Sequence, residues 1–362
     1  MIPYGRQNIS EDDISAVVEV LRGDWLTQGP TIEKFERAVA DYVHAEHAVA
    51  FSSGTAALHG AAFAAGLGPG DIVYTSPLTF IASANAARYV GATPGLVDID
   101  ENTWNIDLSR MPTDAKAAIP VHYAGLPVDL SPENWSFRPK VVIEDAAHAL
   151  GAHTPDGPVG NCAHSDMTCF SFHPVKPITS GEGGMVTTSN ADLAERLRRF
   201  RSHGIVRKLE KGEWYYEVED DGYHYRMTDI QAALGLSQMK RLDEFISRRN
   251  EIAASYRNLL GELPVGLPPT APKDVVHGYH LFAVLVNDRK RIFAELRKSG
   301  VGVQVHYVPV HHHPIIARHL NELDFPVADS IYSQVLSLPI HPGLSDAQQR
   351  EIIGTLAKIL AT

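Results

Sequence analysis

Short apolar runs alternate with amphipathic stretches over the first part of the chain. The runs are bounded by Gly, Pro, Ser or Asp and lie at residues 47–51, 72–75, 117–121 and 141–143. Helical stretches at 55–65 and 80–90 fall between several of them. Strands that alternate with helices favour right-handed crossovers, which make the strands parallel and place helices on both faces of the sheet. We therefore predict an α/β fold with a mostly parallel sheet.

Helix-start signals mark further elements. Ser10 is predicted to cap a first helix, because acidic residues follow it in the first turn, where the helix dipole favours anions. Thr31 is predicted to cap a second helix. A capping box of Thr228 and Gln231 is predicted to begin a long helix that extends as far as Leu260.

A smaller unit is predicted after this long helix. Residues 263–272 are rich in proline and are typical of a linker. Beyond them the pattern predicts a strand, a helix, a second strand and a final helix, at residues 279–286, 288–299, 303–307 and from Ser345. We therefore predict a large domain at residues 1–245 and a smaller C-terminal α/β domain at residues 246–362.

The composition argues against several classes of partner. The formal net charge of −11 repels a phosphate backbone and disfavours nucleic-acid binding. The sequence has no signal core and no uninterrupted apolar stretch of about 18 residues, so we expect no membrane partner. Cys162 and Cys169 match no zinc-ligand spacing and are expected to be buried thiols in a reducing compartment. We expect a cytoplasmic protein.

Polar or aromatic residues follow four predicted strand ends, where ligands bind in open parallel sheets. Residues 52–55 are small and lead into a helix whose N–H groups would attract a phosphate, although a plain tight turn uses the same residues. Asp145 ends a buried run and needs a cation or strong donor, unless it caps a helix. Lys176 lies among Pro, Val and Ile, where desolvation lowers an amine pKa, unless its side chain lies on the surface. Phe80 follows the run at 72–75, and its aromatic ring is expected to lie over the ligand crevice at the strand ends.

These four features together describe one cofactor. Pyridoxal 5′-phosphate requires a phosphate cradle, a carboxylate at its ring nitrogen, an aromatic ring for stacking and a Schiff-base lysine. The patterns GxxxxGK[ST] and helix-opening GxGxxG are absent from the sequence, which disfavours nucleoside triphosphates and dinucleotides. We therefore predict pyridoxal 5′-phosphate as the cofactor.

Three motifs resemble the DegT/DnrJ/EryC1/StrS sugar aminotransferases. They are Ser-Ser-Gly-Thr at 52–55, Glu-Asp-Ala-Ala-His at 144–148, and Ser-Phe-His-Pro-Val-Lys at 171–176 with Gly-Glu-Gly-Gly at 181–184. The resemblance covers nearly the whole chain, and residues 201–204 and 304–307 are most similar to the branch that aminates the UDP-4-keto sugar of the pseudaminic acid pathway. It implies the fold type I architecture of PLP-dependent transferases, similar to aspartate aminotransferase, and a homodimer with active sites at the interface.

The resemblance also implies roles for individual residues. Lys176 would bind the cofactor covalently and move a proton between the cofactor and substrate carbons, while Asp145 would keep the ring nitrogen protonated. His148 would lie near the ring hydroxyl and Phe80 would stack on the ring. The cofactor phosphate would be held at the strand ends, by Gly54, Thr55 and Ser171.

One position departs from the family motif Gly-x-Asn-x-Arg. Residues 222–226 read Gly-Tyr-His-Tyr-Arg, so His224 replaces the asparagine that reaches across the dimer to the partner's cofactor phosphate. A histidine ring nitrogen can also donate to a phosphate, but its bulk and pH-dependent charge alter the contact. Arg226 suits a diphosphate, to which a guanidinium donates two bonds. The resemblance places the nucleotide-sugar pocket at Tyr4, Trp25, Thr27, Ser53, Arg226, His306 and Tyr307.

The histidines at 311–313 raise the question of a metal site. Three adjacent histidines cannot all face one ion, and no acidic ligand lies at useful spacing in the sequence. We predict no metal and expect a loop that borders the substrate pocket.

The expected reaction is amino transfer, since related sugar dehydratases carry a histidine in place of Lys176. L-Glutamate is the expected donor, and the C4 keto carbon of a UDP-linked 4-keto-6-deoxy N-acetylhexosamine is the expected acceptor. A dTDP-linked 3- or 4-keto-deoxyhexose is the alternative substrate. A regulatory protein that keeps the fold without turnover is the alternative of another class, and intact Lys176 and Asp145 argue against it.

Overall fold

The computed structural model of the chain describes residues 1–319 and 324–362. Its helices are α1 (Glu11–Arg22), α2 (Pro30–Val43), α3 (Gly54–Ala64), α4 (Ala82–Tyr89), α5 (Ala191–Phe200), α6 (Asp229–Met239), α7 (Leu242–Leu260), α8 (Arg289–Lys298), α9 (Pro314–Ala317), α10 (Pro326–Gln334) and α11 (Asp346–Leu360). Its strands are β1 (His47–Phe51), β2 (Ile72–Thr75), β3 (Thr93–Leu96), β4 (Ala117–Ile119), β5 (Val141–Asp145), β6 (His153–Thr154), β7 (Gly157–Pro158), β8 (Met167–Ser171), β9 (Gly184–Thr188), β10 (Ile205–Arg207), β11 (Tyr216–Val218), β12 (Phe282–Leu285) and β13 (Val335–Leu338). None of the helices described here is long and apolar enough to cross a membrane.

Seven strands form the central sheet, in the order β1-β9-β8-β5-β4-β2-β3. The four pairings from β8 through β5, β4 and β2 to β3 are parallel. Strand β9 pairs antiparallel with both β1 and β8. Because one strand of seven is reversed, the predicted mostly parallel α/β sheet is confirmed, and it is consistent with fold type I.

Helices cover both faces of this sheet. Side chains alternate along a strand, so Val49 and Phe51 of β1 pack into the core beneath α3, α4 and α5. Ala48 and Ala50 of the same strand point to the other face and pack with α2 and α6. Because helices cover both faces of the sheet, the ends of its strands are the places left accessible to a ligand.

Helix α7 contributes to two hydrophobic cores. Phe245 and Ile246 pack into the core between the sheet and α2, whereas Ile252 and Tyr256 pack with the C-terminal elements β12, β13, α8 and α11. We propose that the large and small domains divide within this helix, near the sequence-based boundary at residues 245 and 246.

The predicted helix caps are confirmed at Ser10 and Thr228 and wrong at Thr31. Ser10, Thr228 and Ser345 cap their helices, each in a capping box. Helix α2 instead begins at Pro30, before Thr31, and the Asp229 carboxylate accepts hydrogen bonds from the backbone N–H groups of Gly29 at 2.8 Å and Thr31 at 3.0 Å. The cap comes from a residue 198 positions away from Thr31, which no local pattern reveals.

Two predicted elements are altered by tertiary contacts. The long helix is divided between Met239 and Leu242, where Arg241 turns its guanidinium toward Asn8 and Asp13 of the N-terminal segment. The strand predicted at 303–307 is replaced by an isolated bridge between Gln304 and Ser337. The two cysteines form no disulfide within the described residues, with Cys169 buried but Cys162 half-buried rather than fully buried.

Candidate active site

Strands β5 and β8 end at a cavity of about 330 Å³. Asp145 is the last residue of β5 and Ser171 is the last residue of β8. Eleven of the sequence-predicted residues line this cavity: Tyr4, Ser53, Gly54, Thr55, Phe80, Asp145, His148, Ser171, Lys176, His306 and Tyr307. The structure thus brings residues from at least four separate parts of the chain to one site.

The N-terminus of α3 forms one end of the cavity. Ser53 caps the helix, since its hydroxyl accepts a hydrogen bond of 3.1 Å from the Ala56 N–H. A Cβ atom added to Gly54 would lie 2.8 Å from the Ser171 Cβ, so only glycine lets the helix start approach the end of β8 this closely. Backbone N–H groups and the Ser171 hydroxyl therefore converge in an arrangement that suits a phosphate group.

Asp145 is buried in the cavity wall and held by two donors. The Ser83 hydroxyl donates to its Oδ2 at 2.7 Å, and the Ala147 N–H donates to its Oδ1 at 3.1 Å. The chain continues from Asp145 into a turn rather than a helix, so Asp145 is not a helix cap. Both bonds fix the carboxylate at the rim of β5, where it can pair with a cationic group of a bound ligand.

Lys176 lies in the same cavity rather than on the open surface. Desolvation lowers the pKa of its amine to about 8, although the charge of Asp145 opposes this change. An amine with this pKa loses its proton far more readily than an ordinary lysine near neutral pH. It is therefore available as a nucleophile and as a base.

A buried polar cluster forms part of the cavity wall. The Nε2 atom of His148 lies 3.0 Å from the Tyr307 hydroxyl, and the His148 ring lies 4.3 Å from the ring of His280. Burial and the nearby Lys176 charge hold the pKa of His148 well below its usual range, so its imidazole is neutral. Its Nδ1 atom is buried and has no hydrogen-bond partner among the described residues, which leaves a polar atom available at this wall.

His280 and Ser83 were not identified from the sequence. His280 lines the cavity from the segment before β12, and Ser83 reaches Asp145 from α4. His280 lies within the predicted strand at 279–286, where a histidine in an apolar run was the available signal. No local signal distinguishes Ser83 from other serines near helix starts.

Four predicted residues lie outside this cavity. Trp25, Thr27, His224 and Arg226 occupy two neighbouring segments, which are joined by a bridge between Thr27 and Thr228. Arg226 borders a separate cavity of about 200 Å³, and its buried Nε atom has no hydrogen-bond partner within residues 1–319 and 324–362. Within one chain, the predicted residues therefore lie in two separate groups.

The histidines at 311–313 were expected in a loop that borders the substrate pocket, and none of them lines the cavity at the ends of β5 and β8. Residues Val310–His312 form a short 3-10 helix, and the predicted lack of an acidic neighbour is wrong. His311 and His312 each approach Asp329, with Nε2 to Oδ1 distances of 3.0 Å and 2.9 Å. Asp329 lies 18 residues after His311 and belongs to the separate helix α10, so sequence spacing did not reveal it.

The cavity residues fit pyridoxal 5′-phosphate. The α3 N-terminus suits the phosphate, Asp145 suits the ring nitrogen and Lys176 suits the aldehyde. The unpartnered Nδ1 of His148 and the Phe80 ring, which is 55% exposed, complete the walls.

A family comparison agrees with this geometry. Residues 7–357 match the model of the DegT/DnrJ/EryC1/StrS aminotransferase family. The chain belongs to this family. It is a PLP-dependent sugar aminotransferase, as the sequence motifs indicated.

Individual relatives span the whole aminotransferase. It is 39% identical to the spore coat polysaccharide biosynthesis protein SpsC of Bacillus subtilis, over 99% of this chain and 97% of that protein. It is 35% identical to the UDP-4-amino-4,6-dideoxy-N-acetyl-beta-L-altrosamine transaminase of Campylobacter jejuni, over 99% of this chain and 98% of that protein.

Solved structures also match the aminotransferase along its length. The sugar aminotransferase Spr1654 from Streptococcus pneumoniae, in its PMP form, matches with a TM-score of 0.92 at 30% identity. The match covers 100% of this chain and 99% of the Spr1654 chain. PseC of Helicobacter pylori, involved in pseudaminic acid biosynthesis, has a TM-score of 0.91 at 30% identity and covers 99% of each chain.

Proposed function

We propose that this aminotransferase transfers the amino group of L-glutamate to the C4 keto carbon of a UDP-linked 4-keto-6-deoxy N-acetylhexosamine. The observation that carries amino transfer is the presence of the Lys176 amine and the Asp145 carboxylate in one cavity at the start of α3. The choice of sugar is supported by the Campylobacter jejuni transaminase and by PseC. The higher identity of the spore coat protein SpsC leaves the sugar to be tested directly.

Lys176 and Asp145 have different roles in the proposed reaction. When bound, the cofactor would supply the carrier for the amino group and would withdraw electrons from the reacting carbon. Lys176 Nζ would take the proton from the substrate carbon and deliver it to the cofactor carbon, a transfer that its lowered pKa of about 8 permits near neutral pH. The Asp145 carboxylate holds the proton on the ring nitrogen, and Ser83 and the Ala147 N–H keep that carboxylate oriented.

A nucleotide sugar also needs cations for its diphosphate. The chain has a net charge of −11, so attraction of such a substrate must be local. Arg226 is suited to this role because it lines the second cavity together with Arg201, and its buried Nε has no partner in the part of the chain that the structure describes. We place the enzyme in the cytoplasm, where nucleotide-sugar and L-glutamate substrates would both be available.

A panel of substrates tests the proposed reaction. We expect the purified enzyme with L-glutamate to aminate the UDP-linked 4-keto-6-deoxy N-acetylhexosamine, detected as conversion of the keto sugar to the amino sugar by mass spectrometry. Amination of dTDP-linked keto hexoses alone would show that the nucleotide assignment is wrong. Failure with every keto sugar, while the cofactor remains bound, would favour the regulatory alternative.

A homodimer would unite the two groups of predicted residues. Trp25 and the residues of the β10–β11 hairpin expose large apolar side chains, and Trp214 in that hairpin is 81% exposed. A second copy packed against these surfaces would bury them and bring His224 and Arg226 to the partner's cavity. We therefore propose that each active site is completed by the other subunit.

Removal of the imidazole at residue 224 tests this arrangement. His224→Ala is expected to weaken cofactor binding by about 10- to 100-fold, because one hydrogen bond to the charged phosphate is lost. The measurement is a titration of the cofactor-free enzyme with pyridoxal 5′-phosphate. His164→Ala, which alters a histidine paired with Asp156 at a separate site, is the control and should bind the cofactor normally.

Mixing Lys176→Ala chains with His224→Ala chains, at a cofactor concentration too low to load the His224→Ala sites, distinguishes action within a chain from action across the dimer. A mixture of His224→Ala and Lys176→Ala chains forms some mixed dimers, each with one site that has both wild-type residues. Random pairing predicts recovery of about a quarter of the wild-type activity. No recovery after subunit exchange, or a monomer that is fully active, would contradict the shared site.

A further inference from the structure

Two imidazoles and one carboxylate lie close together in the C-terminal part of the chain. His311 Nε2 and His312 Nε2 lie 3.0 Å and 2.9 Å from the same oxygen, Oδ1 of Asp329. The three ligand atoms all lie within 4.8 Å of one another. His311 is mostly buried, whereas His312 and Asp329 are partly open to solvent, so an ion has a route of entry.

The surrounding structure holds these side chains in place. The Asp98 carboxylate accepts hydrogen bonds of 3.0 Å from the N–H groups of Val327 and Ala328, which fixes the first turn of α10 and therefore Asp329. The His311 ring packs 4.8 Å from the Phe325 ring. The cluster is therefore formed by ordered elements, and the main chain of Val310 is tied to Pro77 as well, through a 2.8 Å hydrogen bond.

We propose that His311, His312 and Asp329 bind a divalent transition-metal ion, with Zn²⁺ as the representative ion. Two neutral imidazoles and a carboxylate are a common donor set for such ions, with ligand bonds of about 2.0–2.2 Å. Ligands of one ion at those bond lengths lie roughly 3–4 Å apart, so the observed separations require only small side-chain rotations. Water fills the remaining coordination positions.

The position of this site gives the ion a structural role. His311 and His312 follow His306 and Tyr307 in the chain, and those two residues line the cofactor cavity. An ion that joins residues 311–312 to α10 would fix the segment that places the Tyr307 hydroxyl against His148. The site differs from the amino-transfer site, since none of its three ligands lines that cavity.

Zinc titration of the cofactor-loaded enzyme tests the proposal. After treatment with EDTA and its removal, isothermal calorimetry is expected to show one Zn²⁺ bound per chain with a dissociation constant of about micromolar or below. Saturating Zn²⁺ should also raise the melting temperature by several degrees, because it binds the folded state. Asp329→Asn and His312→Ala should each weaken binding at least about tenfold.

The neighbouring histidine provides a matched control. His313 belongs to the same run but is not part of the three-ligand cluster found among the described residues, so His313→Ala should bind Zn²⁺ like the wild type. Equal weakening in His313→Ala and His312→Ala would show general binding to a histidine run and overturn the site. Retention of wild-type affinity in Asp329→Asn, or the absence of stoichiometric binding in the wild type, would overturn it as well.

Discussion

Replacement of Lys176 by alanine is expected to abolish covalent cofactor binding and to reduce amino transfer by at least about 1,000-fold. The amine lies in the cavity with Asp145, and desolvation lowers its pKa to about 8. Alanine supplies neither a nucleophile nor a base at this position. The measurements are the visible absorption band of the bound cofactor, borohydride trapping on the chain, and the rate of sugar amination.

Two further variants test whether the loss of activity comes from the missing amine rather than from a change in charge or folding. Lys176→Arg keeps a cation in the cavity but lacks a nucleophilic amine, so we expect it to fail in the same measurements. Lys298→Ala removes an exposed lysine at the end of α8 and should behave like the wild type. Normal turnover by Lys176→Ala, with its fold confirmed by circular dichroism, would refute the assignment.

Replacement of Asp145 by asparagine is expected to leave cofactor bound but to slow amino transfer by about 10²- to 10³-fold. A neutral amide cannot stabilise the protonated ring nitrogen, and loss of one preorganised electrostatic contact in an active site has this magnitude. The amide also cannot accept hydrogen bonds at both of its terminal atoms, so either Ser83 or the Ala147 N–H loses its present acceptor. Cofactor content and single-turnover rates measure the two effects separately.

Asp166→Asn provides the matched control for this change. Asp166 immediately precedes β8, and its carboxylate accepts a 2.8 Å hydrogen bond from the Val142 N–H at the opposite end of the strands. We expect that variant to lose some stability while it keeps its amination rate. Wild-type rates in Asp145→Asn would show that the carboxylate does not act on the ring nitrogen.

Local signals predicted the turn at residues 52–55, Phe80, Asp145 and Lys176, whereas the family resemblance supplied the other predicted residues that line the cavity. Asp145 and Lys176 are polar residues that follow buried apolar runs, and residues 52–55 open a helix. Parallel strands then bring such ends to one edge of the sheet, so the fold class alone implies that they meet.

Contacts between distant segments were not predictable in the same way. Asp329 reaches His311 and His312 from another helix, and Asp229 takes the capping role assigned to Thr31. The break between α6 and α7 lies at Arg241, whose guanidinium contacts the distant N-terminal segment. Each of these features depends on which elements pack together, and neither helix periodicity nor local capping preference carries that information.

Helix α7 ties the stability of one part of the chain to that of the other. Its first turns help to fill the core beside the sheet, and its later turns help to fill the core of the C-terminal elements. Loss of packing around Tyr256 would therefore loosen the helix that also carries Phe245. The two cores are expected to unfold cooperatively rather than as independent modules.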